Sequence, residues 1–165
     1  MSRNSWLARK ARQFSGHLRA RVTDEERGAV TAWTTPAELA LFDAMHVADR
    51  RHGLDVVATL RRAKVMDRDV LVAGLLHDCA KGDTGVWPRV AWSLGEALGP
   101  WVWRVTAHLP GWRPALERLR VHAEASADLV AAAGGSLRAV GLIRNQSAPG
   151  DDRDARLLLA ADEAC

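Results

Sequence analysis

A short polar segment follows directly on an apolar run in the middle of the chain. In the segment LLHDCAK, residues 75–81, His77, Asp78 and Lys81 stand next to leucines that a folded chain would bury. Burying an ionised carboxylate is costly unless a cation pairs with it. A divalent metal ion is a cation that would also recruit the imidazole. The segment therefore predicts a metal site with an ammonium group beside it.

A metal ion needs more ligands than two neighbouring residues supply, and the sequence offers candidates on both sides. His52 stands in the helix-like segment RRHGLDVV before the polar segment, and Asp162 stands in the amphipathic segment LLLAADEA after it. His46 is a competing histidine, since it precedes His52 by less than two helical turns. From the residues alone, either histidine could complete the site.

The elements that must position these residues are helices. Apolar residues recur at three- and four-residue spacing nearly throughout, whereas the alternation typical of strands is scarce. Thr35 precedes Pro36 and stands three residues before Glu38, which predicts a capping box with proline at the first helical position. Thr23 and Asp67 mark two further helix starts in the same way. The sequence predicts an all-α fold.

Glycine and proline mark where the helices should end. The predicted ends are at Gly82, Gly99–Pro100, Pro110–Gly111 and Gly134–Gly135. The first of these places His77, Asp78 and Lys81 within one helix that begins after Asp67. A helix from Ser136 to about Gln146 and a last helix over ARLLLAADEA complete the pattern.

Composition indicates one soluble domain of ordinary character. The chain has 165 residues, of which 48% are hydrophobic and 26% charged. Its longest apolar run, VLVAGLL, is far shorter than the ~20 residues of a membrane span, and the first residues lack the apolar middle of a signal peptide. We therefore expect a cytoplasmic protein without a membrane span, in which Cys79 and Cys165 are free thiols and neither is a nucleophile.

The net charge of +3 is unevenly distributed. Residues 1–21 contain six basic residues and no acidic ones, which leaves 17 basic and 20 acidic residues in the rest of the chain. This predicts a basic helical arm, residues 1–22, before a helical domain, residues 23–165. We do not expect nucleic-acid binding, because a basic arm without a known nucleic-acid-recognition motif is weak support for it.

Four tryptophans are concentrated in a short part of the chain. They are Trp87, Trp92, Trp101 and Trp103. Their spacing is compatible with packing two helices together, and most tryptophans are expected at the core or its edge. Alternatively, they could form the wall of a pocket beside the polar segment.

Four landmarks occur in an order that resembles the HD-domain superfamily of metal-dependent phosphohydrolases. RHGLDVV resembles the first-histidine helix of that family, and LVAGLLHDCAK resembles its His-Asp signature. HAEASADLV and GLIRNQ resemble the two segments that follow, so the resemblance covers residues 49–164. It implies a single compact helical domain of the HD type and favours His52 over His46. The implied ligands of one divalent ion, Mn, Fe, Co or Zn, are His52, His77, Asp78 and Asp162.

The chain departs from the family where a second metal would bind. Asn145 and Gln146 replace the histidine pair that relatives with two-metal sites carry after the LIR segment. Amides are poor ligands for a transition metal, so one ion is expected. His122, Asn145 and Gln146 would then contact substrate, water or a ligand side chain.

The resemblance implies hydrolysis of a phosphate monoester or diester in a small phosphorylated substrate, with nucleotides among the candidates. In this scheme Asp78 and Lys81 are the catalytic residues, and Lys81 stabilises negative charge on the phosphoryl group. Arg51 and Arg144 are further candidate phosphate contacts, and Asp49 would orient the His52 ring or hold a water. The alternative is a catalytically impaired HD-type module that binds metal or nucleotide for regulation. The substrate's identity and the oligomeric state are not predicted.

Overall fold

Nine helices account for the regular structure of residues 20–165, which are the residues that the computed structural model describes. No strand occurs in that part of the chain, so the all-α prediction is confirmed. Nearly all of the predicted basic arm lies outside the described residues. The helices are α1 Asp24–Thr31, α2 Pro36–Ala44, α3 Val47–Arg62, α4 Arg68–Leu76, α5 Val86–Leu98, α6 Trp101–Thr106, α7 Trp112–Ala132, α8 Leu137–Arg144 and α9 Arg153–Ala164.

The predicted helix starts are confirmed by their capping bonds. At the start of α2, the Thr35 hydroxyl accepts from the Glu38 backbone N–H at 3.2 Å, and the Glu38 carboxylate accepts from the Thr35 N–H at 2.8 Å. The same reciprocal pair, Thr23 with Glu26, starts α1. Asp67 accepts from two backbone N–H groups at the start of α4. These side chains satisfy donors that the first turn of a helix leaves free.

Helix α4 lies at the centre of the core. All of its residues from Val70 to Leu76 are buried, and it packs against α2, α3, α8 and α9. Its contact with α3 is unusually close, because a β-carbon at Gly53 would lie 2.5 Å from the Leu75 carbonyl oxygen. This approach of two backbones sets the distance between His52 on α3 and His77 at the end of α4.

Helix α4 ends earlier than the sequence predicts. It stops at Leu76, not near Gly82, and residues 77–80 form a turn. The Cys79 N–H bonds the Leu76 carbonyl, three residues back, and the Ala80 N–H bonds the Ser126 hydroxyl of α7 at 3.0 Å. A tertiary acceptor therefore replaces the helical acceptor of Ala80. As a result, Asp78 and Lys81 lie on a turn that α7 holds in place.

The tryptophans of α5 and α6 divide into two groups. Trp92 and Trp103 are stacked with ring centroids 4.6 Å apart, and the Trp103 indole N–H donates to the Trp92 carbonyl at 3.1 Å. Trp87 and Trp101 are 67% and 56% exposed, so these two are not among the tryptophans at the core. The buried residues of α5 are Pro88, Ala91 and Gly95.

No helix among residues 20–165 has the length and apolar character needed to cross a bilayer.

Candidate metal centre

Three parts of the fold bring three of the four predicted ligands into one cluster and place the fourth, Asp78, beside His77. His52 comes from α3, His77 and Asp78 follow the end of α4, and Asp162 comes from α9. One ligand atom each of His52, His77 and Asp162 lies within 4.8 Å of the other two. Nε2 of His52 is 2.7 Å from Oδ1 of Asp162, and Nε2 of His77 is 3.4 Å from the same oxygen. Oδ2 of Asp78 lies 3.5 Å from Nε2 of His77.

The backbone of α4 fixes the orientation of the His77 ring. Nδ1 of His77 lies 3.0 Å from the Gly74 carbonyl and donates to it, so Nε2 faces Asp78 and Asp162. His77 and Asp78 are each only 2% exposed. Nε2 of His77 and Oδ1 of Asp78 nonetheless have no hydrogen-bond partner within the described residues. Buried polar atoms of native proteins are seldom left unsatisfied. A bound cation that contacts both atoms would satisfy them.

The electrostatics of the cluster favour a cation. Burial opposes a positive charge on His77, but the carboxylates of Asp78 and Asp162 outweigh it and raise the pKa of His77 to about 9. Burial likewise opposes negative charge on both carboxylates, but His77 and Lys81 beside Asp78, and the contacts of His52 and His77 with Asp162, outweigh it and hold the pKa of both carboxyl groups well below the usual range. Two carboxylates held in the ionised form thus favour a positive charge between them. Imidazole nitrogens with carboxylate oxygens are a donor set that suits Mn²⁺, Fe²⁺, Co²⁺ or Zn²⁺.

Lys81 and His122 approach Asp78 from the more open side. Nζ of Lys81 is 2.5 Å from Oδ2 of Asp78, and Nε2 of His122 is 3.6 Å from Oδ1. Nδ1 of His122 donates to the Leu119 carbonyl at 2.6 Å, which turns Nε2 toward the cluster. Burial and the nearby ammonium of Lys81 lower the pKa of His122. The side chains of Lys81 and His122 are 22% and 20% exposed, so a small molecule could reach both.

Gln146 and Asn145 make contacts other than those predicted from the sequence. The buried Gln146 donates through Nε2 to the His77 carbonyl at 3.3 Å. It thereby holds the backbone of a predicted ligand. The exposed Asn145 donates through Nδ2 to the Gly141 carbonyl at 3.0 Å. Neither described contact is to a proposed ligand side chain, so roles toward substrate or water stay predictions.

A buried ion pair that the sequence did not reveal joins α5 to α3, beside the loop that follows the turn. Arg89 on α5 donates through Nη1 and Nη2 to the two carboxylate oxygens of Asp49 on α3, at 2.5 Å and 2.8 Å. Its Nε also donates to the Thr84 carbonyl at 2.8 Å. Asp49 thus neutralises Arg89, and its expected role in orienting His52 or holding a water stays a prediction. Nothing in the spacing of the chain singles out Arg89 from its other arginines.

The remaining predicted residues have partners elsewhere. Arg51 pairs with Glu26 and, at 2.9 Å, with Asp55. Arg144 pairs with carboxylates of α7 on the surface. Within residues 20–165 no described contact joins either arginine to a proposed ligand, and their role as phosphate contacts stays a prediction.

His46, the competing histidine, caps the start of α3. Its Nδ1 accepts from the Ala48 N–H at 3.3 Å. His46 is not among the residues whose ligand atoms cluster, whereas His52 is. The preference for His52 over His46 is therefore consistent with the position of both rings.

Both cysteines are free thiols, as expected. Burial raises the pKa of Cys79 to about 11, and its thiol lies 3.8 Å from the Ser126 carbonyl. A thiol with so high a pKa is a poor nucleophile near neutral pH, because the thiolate is the reactive form.

Comparison with protein-family models, with curated proteins and with solved structures finds no match for this chain.

Proposed function

We propose that the protein is a metal-dependent phosphohydrolase. The observation that carries the proposal is the pair of buried, unpartnered atoms, Nε2 of His77 and Oδ1 of Asp78, in a cluster completed by His52 and Asp162. The resemblance of the surrounding segments to the HD-domain superfamily supports the same conclusion.

The proposed site holds one divalent ion of the Mn, Fe, Co or Zn type through His52, His77, Asp78 and Asp162. The chemistry that such an ion supplies when bound is polarisation of a phosphoryl oxygen and a lowered pKa of a bound water. The Gly74 carbonyl keeps the His77 ring in the tautomer that leaves Nε2 free for a ligand. With amides at Asn145 and Gln146, the chain lacks the imidazoles that a second ion would need.

Lys81 supplies positive charge beside the proposed ligands. Nζ of Lys81 lies 2.5 Å from Oδ2 of Asp78, and the side chain remains partly exposed. The ammonium could therefore contact a phosphoryl oxygen with little movement. A fixed cation at this position would stabilise charge that develops on the phosphoryl group. His122 offers a second nitrogen on the same side of Asp78. The proposed substrate is a phosphate monoester or diester, and nucleotides are included in the class.

The first experiment compares Asp162→Asn with Glu163→Gln in the full chain. Both changes remove one carboxylate from α9, but only Asp162 lies in the cluster, while Glu163 is exposed. The proteins are loaded with each of the four metals and assayed against phosphomonoesters, phosphodiesters and nucleotides. We expect hydrolysis by the wild type and by Glu163→Gln, and none by Asp162→Asn. Equal hydrolysis by both variants would refute this assignment of the site.

A second experiment separates metal binding from catalysis. Lys81→Gln should retain the metal and lower kcat by about 10² to 10³, the cost of losing one electrostatic contact to a transition state. Lys64→Gln is the matched control, because Lys64 is an exposed lysine just beyond α3. Wild-type turnover by metal-loaded Lys81→Gln would remove Lys81 from the mechanism.

The alternative is a regulatory module that binds metal or nucleotide without turnover. Two contacts favour it: the Lys81 ammonium is engaged with Asp78, and Gln146 holds backbone in place of a second ligand pair. Metal binding in a protein that hydrolyses none of the phosphoesters tested would select this alternative.

A further inference from the structure

An apolar surface covers the outer side of α5 and α6. We call it the α5–α6 face and define it by six side chains that are between 36% and 67% exposed: Trp87, Leu94, Leu98, Trp101, Val105 and Leu109. The described residues include only three other exposed large apolar side chains, Met66, Leu129 and Leu137. Six of these nine side chains thus fall in one short segment of the chain, and a concentration of exposed apolar side chains is typical of an interaction site.

The face is continuous across the two helices. Trp87, Leu94 and Leu98 follow one another at seven- and four-residue spacing, so they lie on one side of α5. The Trp101 indole N–H donates to the Leu98 carbonyl at 3.0 Å, which joins the start of α6 to the end of α5. The buried residues of α5, Pro88, Ala91 and Gly95, stand beside this row on the helix surface. The apolar side of α5 is therefore broad, and folding buries only part of it.

The charged residues in the part of the sequence that carries the face are mainly basic. Residues 86–116 contain a single acidic residue, Glu96, and its carboxylate accepts from the Trp92 indole N–H at 3.2 Å. Arg104 stands three residues after Trp101 and is exposed, and Arg113 is exposed at the start of α7. An occupant of the face should therefore be apolar and negatively charged.

We propose that the α5–α6 face binds the surface of an anionic lipid bilayer. Tryptophan prefers the boundary between headgroups and acyl chains, where its ring is buried and its N–H can reach polar groups. Exposed arginines such as Arg104 and Arg113 add attraction to anionic headgroups. Stable attachment needs two such signals, and this chain combines an apolar face with basic residues. Pairing of two copies through the face would instead place like charges together.

The test is co-sedimentation of the full chain with vesicles. We expect binding to vesicles of phosphatidylcholine mixed with phosphatidylserine, and loss of binding in high salt or with phosphatidylcholine alone. The double variant Trp87→Ser/Trp101→Ser should lower the partition coefficient about tenfold or more, and Arg104→Gln should lower it about fivefold. The control Met66→Ser/Leu137→Ser removes two exposed apolar side chains outside the face and should bind as the wild type does.

Circular dichroism must first show that each variant is folded. If Trp101→Ser unfolds the protein, Trp87→Ser/Val105→Ser tests the same face without breaking the bond to Leu98. Absence of binding to anionic vesicles would overturn the proposal, and so would equal binding by the wild type and the folded face variant. A wild-type dimer in sedimentation velocity that the face variant converts to monomer would assign the face to a second copy instead.

Discussion

Replacing Gly53 with alanine should force apart the two helices that carry His52 and His77. The added β-carbon would lie 2.5 Å from the Leu75 carbonyl oxygen, and both atoms belong to backbone or directly adjoin it. No side-chain rotation can relieve this contact. The α3–α4 distance must increase locally by about 1 Å to reach ordinary contact, which a close-packed core resists.

Two opposing effects set the magnitude. A helix with alanine at an interior position is more stable than one with glycine by about 0.5–1 kcal/mol, because the alanine chain loses less conformational entropy when it folds. Overpacking of a core costs about 1–3 kcal/mol. Gly141→Ala isolates the first effect, since nothing lies within 4 Å of a β-carbon at that position of α8. We therefore expect Gly141→Ala to be slightly stabilising and Gly53→Ala to be less stable than this control by about 1–3 kcal/mol, since the first effect is common to both variants.

Urea denaturation followed by circular dichroism measures both variants. The titrations are done in the presence of a chelator, because a ligand that binds only the folded state would mask the difference. Calorimetric titration with Mn²⁺ or Zn²⁺ then gives the metal affinity. Gly53→Ala should bind metal more weakly than Gly141→Ala, because displacement of α3 moves His52 away from its partners. Equal unfolding midpoints for the two variants would refute the close backbone contact on which this reasoning depends.

Two substitutions and one chemical modification test the packing around the site. Arg89→Ala should lower the free energy of unfolding by about 3–5 kcal/mol, because it leaves the buried Asp49 carboxylate unpaired; the matched change in the exposed pair, Arg120→Ala, should leave the urea midpoint nearly unchanged. Gly95→Ala should displace the Trp103 ring, whose Nε1 lies 1.8 Å from the new β-carbon position, and abolish the near-ultraviolet dichroism of the Trp92–Trp103 stack; an unchanged spectrum would contradict the packing. Cys79, with its pKa of about 11, should react with iodoacetamide at pH 8 far more slowly in the folded protein than in urea, as mass spectrometry can show; equal rates would mean that the thiol is accessible.

The helix starts were predictable because their chemistry is local. Thr35, Pro36 and Glu38 lie within four residues, and each acts on the first turn that contains it. The His-Asp segment was recognisable for the same reason. The meeting of His52 and Asp162 is of another kind, since the two residues are 110 positions apart in the chain. Their order along the sequence indicated a shared site only through its resemblance to a known arrangement.

The features that the sequence did not reveal depend on tertiary partners. The early end of α4 follows from a hydroxyl on α7, 46 residues from the N–H that it binds. Arg89 is distinguished from other arginines only by the buried Asp49 that it reaches. The exposure of Trp87 and Trp101 depends on which parts of α5 and α6 face the core. The apolar side of α5 is broad, because Ala91 and Gly95 stand beside Trp87 and Leu98 on the helix, and its periodicity does not tell which part of that side the core covers.

Anomalous diffraction from crystals of the Mn²⁺- or Zn²⁺-loaded protein tests the metal site most directly. We expect one strong peak per chain, bonded to Nε2 of His52 and His77 and to the carboxylates of Asp78 and Asp162. Elemental analysis of the same protein should give one ion per chain. The absence of a peak at this cluster, or two ions about 3.5–4 Å apart within it, would contradict the one-metal centre.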